Sequence, residues 1–168
     1  MRGSETPDSF TEFVVARREA LLRTATMLTG DPHDAEDLVQ VALARCVPRW
    51  SRIEDDPEPY VRTVLVRENV TRWRRRRWRE TTVTTLLEPD AAPDHAGALG
   101  EVDALRRALA GLAPKQRAVV VLRYVEDLPE DEVAHLLGVR RGTVKSQAHD
   151  GLKRLRALLD QTGEKVSV

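Results

Sequence analysis

The residues best suited to chemistry in this sequence are its arginines. Arg62, Arg67, Arg72, Arg74, Arg75, Arg76, Arg77 and Arg79 crowd residues 60–79, with Glu68 as the acid among them. A second basic group, Arg140, Arg141, Lys145, Lys153, Arg154 and Arg156, occupies residues 140–156 with Asp150. The formal net charge is nevertheless zero, because acids collect elsewhere, at 31–37, 54–58, 88–94 and 126–132. Charge segregated in this way suits a protein with one polyanionic and one basic partner.

The spacing around the second group is informative. PEDEVAHLLGVRRGTVKSQAHDGLKRLR reads as a helix-turn-helix. Ala134 is small enough to let a second helix come close. Gly138 stands where a tight turn needs a left-handed backbone. Val144 falls on the inner face of the second helix, where it would fix the crossing angle. Gly142, Thr143 and their neighbours at the start of that helix would point to a major groove. Arg140, Arg141, Lys145 and Gln147 carry donors suited to phosphates and base edges. A plain helical hairpin with a glycine turn competes with this reading, and the basic second helix favours DNA.

In the first group, Trp73 and Trp78 flank four consecutive arginines. Arginine supplies phosphate contacts and tryptophan a stacking surface for an unpaired base. A solvated basic face is the alternative, and a tryptophan is more often core than platform. A third stretch, Asp34-Ala35-Glu36-Asp37-Leu38-Val39-Gln40, pairs an apolar stripe with an acidic edge. An ordinary amphipathic helix with a charged first turn accounts for it equally well.

Enzyme chemistry finds no comparable support. The four histidines (His33, His95, His135 and His149) are scattered, and the single cysteine, Cys46, falls on an apolar face. No metal-ligand spacing, phosphate loop, nucleophile arrangement or cofactor motif stands out. One cysteine excludes an intramolecular disulfide and fits a reducing compartment. No apolar run approaches the ~20 residues needed to span a bilayer, and residues 1–12 lack a signal-peptide layout. A cytoplasmic protein is expected.

The elements that must carry these groups are helices. Length (168 residues), 41% hydrophobic content and only 4% aromatics favour small helical cores. The spacing predicts a helix over 9–29 through Phe10, Phe13, Val14, Leu21, Ala25 and Leu28, ended by Gly30-Asp31-Pro32. A second starts near His33 or Asp34 and uses Ala35, Leu38, Val39, Ala42, Leu43 and Cys46 until Pro48 stops it. Residues 48–58 read as a loop. A third helix runs from about Pro57 to Trp78. Residues 80–100, threonine-rich and then rich in Ala, Pro, Gly and Asp, have the composition of a flexible linker. Beyond it, Val102, Leu105, Leu109 and Leu112 mark a fourth helix. Pro114 opens a fifth, Pro129 a sixth ended by Gly138, and the last runs from about Arg141 along Val144, Ala148, Leu152, Leu155 and Leu159. The fold class expected is all-α: two small bundles, 8–79 and 101–160, joined by the linker 80–100, with the helix-turn-helix in the second.

These pieces, in this order, resemble the extracytoplasmic-function sigma factors of bacteria, the two-domain members of the sigma-70 type. The resemblance covers about Phe10 to Leu159. It rests on DAEDLVQ, PYVRTVLVRENVTRWRRRR, GLAPKQRAVVVLRYVEDL and LPEDEVAHLLGVRRGTVKS, and the W-R-R-R-R run and TVKSQ are similar to an actinobacterial subgroup. The resemblance implies a factor that binds core RNA polymerase and directs initiation at promoters. Asp34, Asp37 and Gln40 would face the clamp helices of the beta-prime subunit. The 48–58 loop would capture a flipped base. Arg62, Val66, Arg67, Asn69, Val70, Arg72, Trp73, Arg74, Arg75, Arg76 and Arg77 would contact the −10 element and its opened strand. Arg140, Arg141, Gly142, Thr143, Lys145, Ser146, Gln147 and His149 would read the double-stranded −35 element, while the other face of that bundle meets the beta flap. Such factors are often held by an anti-sigma partner. Arg67 and Asp150 depart from the Asn and Arg that many relatives carry.

Two other readings stay open on residues alone. A dimeric helix-turn-helix regulator would bind a palindrome without polymerase, leaving the arginine run and DAEDLVQ without a role. An RNA-binding protein would use the Arg/Trp segment, leaving the helix-turn-helix unexplained.

Overall fold

The computed structural model describes residues 5–53, 55–82 and 100–161, with side chains from Ser9 to Arg79 (Glu54 apart) and from Gly100 to Gln161. Every regular element among them is helical: α1 (Glu5–Thr29), α2 (Pro32–Cys46), a 3-10 helix (Val47–Arg52), α3 (Glu58–Thr82), α4 (Gly100–Ala110), α5 (Pro114–Val120) running into a π-helical turn (Val121–Val125), α6 (Glu130–Leu137) and α7 (Arg141–Gln161). The fold is all-α, as the sequence implies. The greater part of the expected linker, 83–99, lies outside the described residues. No described helix is long and apolar enough to cross a membrane.

Local chemistry explains the punctuation. α1 ends because Gly30 takes φ +77°, a conformation cheap for glycine, and its N–H closes on the Thr26 carbonyl at 2.8 Å. The Asp31 carboxylate then caps α2, accepting from the N–H groups of His33 (2.8 Å) and Asp34 (3.0 Å). Pro32 follows in the first turn, where its missing N–H costs nothing. Gly138 closes α6 with φ +64°, as a left-handed cap requires.

Two apolar clusters hold the helices. The first joins α1, α2, the 3-10 helix and α3 through Leu21, Ala25, Leu38, Ala42, Cys46, Trp50, Val61 and Leu65. The second gathers α4–α7 around Leu109, Val119, Leu122, Val133 and Val144. It also takes in Leu28 of α1 and Val66 of α3, so the two bundles share packed surface.

Three local expectations need correction. Residues 48–52, expected as part of a loop, continue as 3-10 helix. The reason is Trp50, which is buried, meets Phe10 edge-to-face and Phe13 at a tilt, at centroid distances of 5.0 and 5.1 Å, and donates its indole N–H to Ser9 Oγ. Val102, expected on the inner stripe of α4, is 58% exposed, since the stripe that packs is Ala104, Ala108 and Leu109. The third helix runs four residues past Trp78, to Thr82.

Candidate nucleic-acid interface

α6 and α7 meet as the spacing predicts. Ala134 and Val144 are buried at their contact, and the turn between them is Gly138 to Arg140. Val139 closes that turn, its N–H donating to the Ala134 carbonyl at 3.0 Å. The Arg140 carbonyl then accepts from Thr143 (2.9 Å) and Val144 (3.2 Å), starting α7. With the inner face fixed, the residues proposed to read DNA fall outward. Arg140, Arg141, Gly142, Lys145, Ser146 and His149 are exposed, and Thr143 and Gln147 half-buried. A side chain built on Gly142 would meet nothing within 4 Å. Asp150 is exposed on the same helix.

One of these cations is already engaged. Arg141 Nε lies 2.9 Å from Glu130 Oε2 and 3.5 Å from Asp131 Oδ1. The Arg141 hydrogen bond holds the Glu130 carboxyl below its ordinary range, with help from the charge of Lys145. The pair staples the first turn of α6 to the first turn of α7.

The basic group of α3 divides by helix phase. Arg62, Val66, Asn69, Val70 and Trp73 share one stripe at spacings of four, seven, eight and eleven. That stripe turns toward α4–α7: Val66 is fully buried and Val70 packs on the second cluster. Arg62 Nε lies 3.1 Å from Glu126 Oε2. Arg67, Arg74, Arg75, Arg76 and Arg77 are exposed. Arg67 lies 3.4 Å from His135 Nε2, and the Arg77 guanidinium sits 5.8 Å from the Trp73 ring centroid, a cation–π distance. Trp78 is 77% exposed. Between this stretch and α5–α6 lies a cleft of about 550 Å³, its wall carrying Arg72, Arg76, Arg77 and Lys115 over an apolar floor of Val70 and Val139.

Asp34, Asp37 and Gln40 lie along one edge of α2. Asp37 and Gln40 are exposed, and Asp34 is half-buried because Arg76 Nη2 reaches its Oδ2 at 2.8 Å. Arg72 Nη1 comes within 3.5 Å of the Asp34 carbonyl. α2 and α3 are tied again by Arg45 to the buried Glu68, at 3.0 Å.

Sequence reasoning missed Arg117. Its guanidinium donates to the carbonyls of Leu109 (2.9 Å), Ala110 (3.0 Å) and Leu112 (3.1 Å), and across the bundle to Leu28 (3.3 Å) and Thr29 (2.9 Å). The carbonyl ends of α1 and α4 therefore converge on one cation, which suits their partial negative charge. The signal was an arginine next to the apolar run Ala118–Leu122, too close to the core to be solvated. Glu126 was likewise overlooked: it takes Arg62 on one carboxylate oxygen and the Thr24 hydroxyl on the other. Among the described residues no group of three or more His, Cys, Asp or Glu could hold a metal ion.

Comparison with known proteins matches this layout. Residues 13–79 match the family model "Sigma-70 region 2" and residues 103–155 match "Sigma-70, region 4". The chain is 44% identical over 152 residues to the RNA polymerase sigma-E factor of Streptomyces coelicolor, covering 88% of this chain and 84% of that one. It is 32% identical over 149 residues to the ECF RNA polymerase sigma factor SigL of Mycobacterium tuberculosis, covering 85% and 84%. Among solved structures it is similar to the sigma factor RpoE of Bartonella quintana, in complex with the anti-sigma factor NepR. That match has a TM-score of 0.67 at 25% identity, over 90% of this chain and 97% of that one.

Proposed function

We infer how this protein works from the family to which it belongs, the extracytoplasmic-function group of the sigma-70-type RNA polymerase sigma factors. It binds core RNA polymerase and directs promoter-specific initiation, recognising −10 and −35 elements and helping to open the DNA. Its part is binding and positioning, and the chemistry of RNA synthesis belongs to the polymerase. It acts in the cytoplasm beside that enzyme. The observation that carries this reading is the tandem match of regions 2 and 4 to helices α1–α3 and α4–α7.

The division of labour we propose is as follows. Residues 8–79 dock on the beta-prime clamp helices through Asp34, Asp37 and Gln40, and present α3 to the −10 element. Arg72 and Arg74–Arg77 hold the backbone, releasing counterions, and Trp73 offers a ring to a base that has left the stack. Residues 101–160 place the start of α7 in the major groove of the −35 element, with Arg140, Gly142, Thr143, Lys145 and Ser146 outermost. Their other face meets the beta flap. The linker, 80–100, joins two weak sites into one stronger bivalent one. Such a protein also fits an anti-sigma partner, as RpoE is held by NepR.

Run-off transcription with purified core polymerase tests this. Promoter-dependent transcripts are expected only when the chain is added. Absence of both transcripts and core binding would remove the proposal, whereas binding to a palindromic duplex as a dimer would favour a conventional regulator.

A further inference from the structure

We infer that the cleft between α3 and α5–α6 is a binding site for a nucleoside polyphosphate, with the phosphates on its cationic wall and the base on Trp73. This goes beyond the function proposed above, although the site shares Arg72, Trp73 and Arg76 with the proposed −10 face.

The charge of the cleft is unbalanced. Arg72, Arg74, Arg76, Arg77, Lys115 and Arg117 line it, against the single carboxylate of Asp34. That carboxylate is already held by Arg76 at 2.8 Å, and Arg117 is committed to the carbonyls that end α1 and α4. Arg72 approaches the Asp34 carbonyl at 3.5 Å. Lys115 is half-buried, yet its ammonium has no ion pair among the described residues. Like charges converging on one concave wall raise the local potential and draw in an anion. A ligand with several phosphate charges relieves their repulsion, and the planar fork of arginine fits phosphate oxygens in pairs.

The rest of the cleft selects what the phosphates must carry. Its volume, about 550 Å³, falls in the range of small-molecule sites. Leu28, Val70, Ala118 and Val139 give it an apolar floor, which offers nothing to a bare phosphate and suits a base. Trp73 lines the same space, half-buried, and an aromatic face accepts any base in a stack. Lys115 and Ala118 come from α5, and Val139 from the turn between α6 and α7. None of these three belongs to the proposed −10 face, so the cavity as a whole is shaped for a compact ligand rather than for a passing strand.

Calorimetric titration of the full chain with ATP, inorganic triphosphate and adenosine, in buffer free of divalent ions, tests this. ATP should bind once per chain. Triphosphate should bind about tenfold more weakly, for want of the stacked base, and adenosine without measurable heat. Lys115→Ala should weaken ATP about tenfold, as the loss of one charge-assisted hydrogen bond does. Lys115→Gln, which keeps the side-chain length without the charge, should match it. Arg79→Ala removes the same charge from an exposed position on α3 outside the cleft and should leave ATP unaffected. Trp73→Leu should bring ATP down to the level of triphosphate. A fluorescent single-stranded DNA should bind wild type and Lys115→Ala alike. No heat with millimolar ATP would overturn the site, as would wild-type affinity in Lys115→Gln. Equal losses for Lys115→Ala and Arg79→Ala would reduce it to general attraction by a basic helix. Equal affinities of wild type for ATP and triphosphate would remove the base from the assignment. Parallel losses of ATP and DNA in Lys115→Ala would make the cleft part of the DNA face instead.

Discussion

Arg76 on α3 holds Asp34 on α2 across 2.8 Å. One residue belongs to the proposed DNA face and the other to the proposed polymerase face, so the two surfaces meet at a single ion pair. Both side chains keep solvent access, at 59% and 33%, and pairs of that exposure contribute only ~0–1 kcal/mol to stability. The pair is therefore free to be exchanged for external partners.

Replacing Asp34 and Asp37 by Lys should abolish core binding while the fold survives. The unfolding midpoint is expected to move by no more than the few degrees that ~1 kcal/mol produces in a protein of this size. Pull-down with core polymerase and a thermal melt check the two halves. Unchanged core affinity would remove these residues from the docking surface.

Glu130 gives the helix-turn-helix a pH dependence. Its carboxyl is held below the ordinary 4.5, first by the Arg141 hydrogen bond and then by nearby cations. A depressed folded value stabilises the charged form, so the contribution is complete above 4.5 and fades as pH falls through the lower folded value. Urea midpoints measured from pH 7 to pH 3 should drop less for Glu130→Gln than for wild type over the acid limb. The same substitution leaves Arg141 only its longer contact to Asp131 and should tighten binding to −35 duplex. Equal acid sensitivity of the two proteins would contradict the coupling.

Arg117→Ala should destabilise the chain by about 3 kcal/mol, because hydrogen bonds from a charged donor are worth ~1.5–3 kcal/mol and the loss strands several part-buried carbonyls. Lysine cannot reproduce the fork, so Arg117→Lys should recover less than half. Chemical denaturation of both variants settles the ranking. A loss below 1 kcal/mol for Arg117→Ala would mean that water replaces the guanidinium at little cost.

Gly151 reports on how tightly α5 meets α7. A Cβ there would lie 2.7 Å from Val120 Cγ2, a distance that forces movement. Gly151→Ala should cost about 1–3 kcal/mol through overpacking, and Val120→Ala in the same chain should return part of it. A double-mutant cycle measures that coupling. Additive losses would show that the two sites do not touch.

Much of this was legible in the sequence, because it depends on local pattern. The inner stripes Leu38-Val39-Ala42-Cys46 and Val144-Ala148-Leu155-Leu159 are buried where periodicity puts them, and Gly138 takes the left-handed backbone that its turn requires. What was missed depends on partners distant in the chain. Val66 and Leu28 carry ordinary apolar side chains, and nothing nearby in sequence says that they leave their own bundle for the other. Arg117 looks like one more surface cation until the carbonyl ends of α1 and α4 are brought beside it. Trp50 was assigned to a loop on the strength of its polar and proline neighbours, yet Phe10 and Phe13, some forty residues earlier, pull it inward. The proposed DNA residues of α7 were readable from type and register, whereas the engagement of Arg62 by Glu126 was not.

The π-helical turn at Val121–Val125 sets the aim of Glu126. Such a turn holds one residue more than the α-helix would use over the same rise, and each residue of an α-helix advances the chain by about 100°. Excising a single valine here would regularise the helix and leave Glu126 close to its present bearing on Thr24 and Arg62, whereas one further residue inserted after Val125 would swing it roughly a quarter-turn away. Insertions in this short stretch would thus break the link that Glu126 makes to α1 and α3, without altering any group proposed to meet DNA or polymerase.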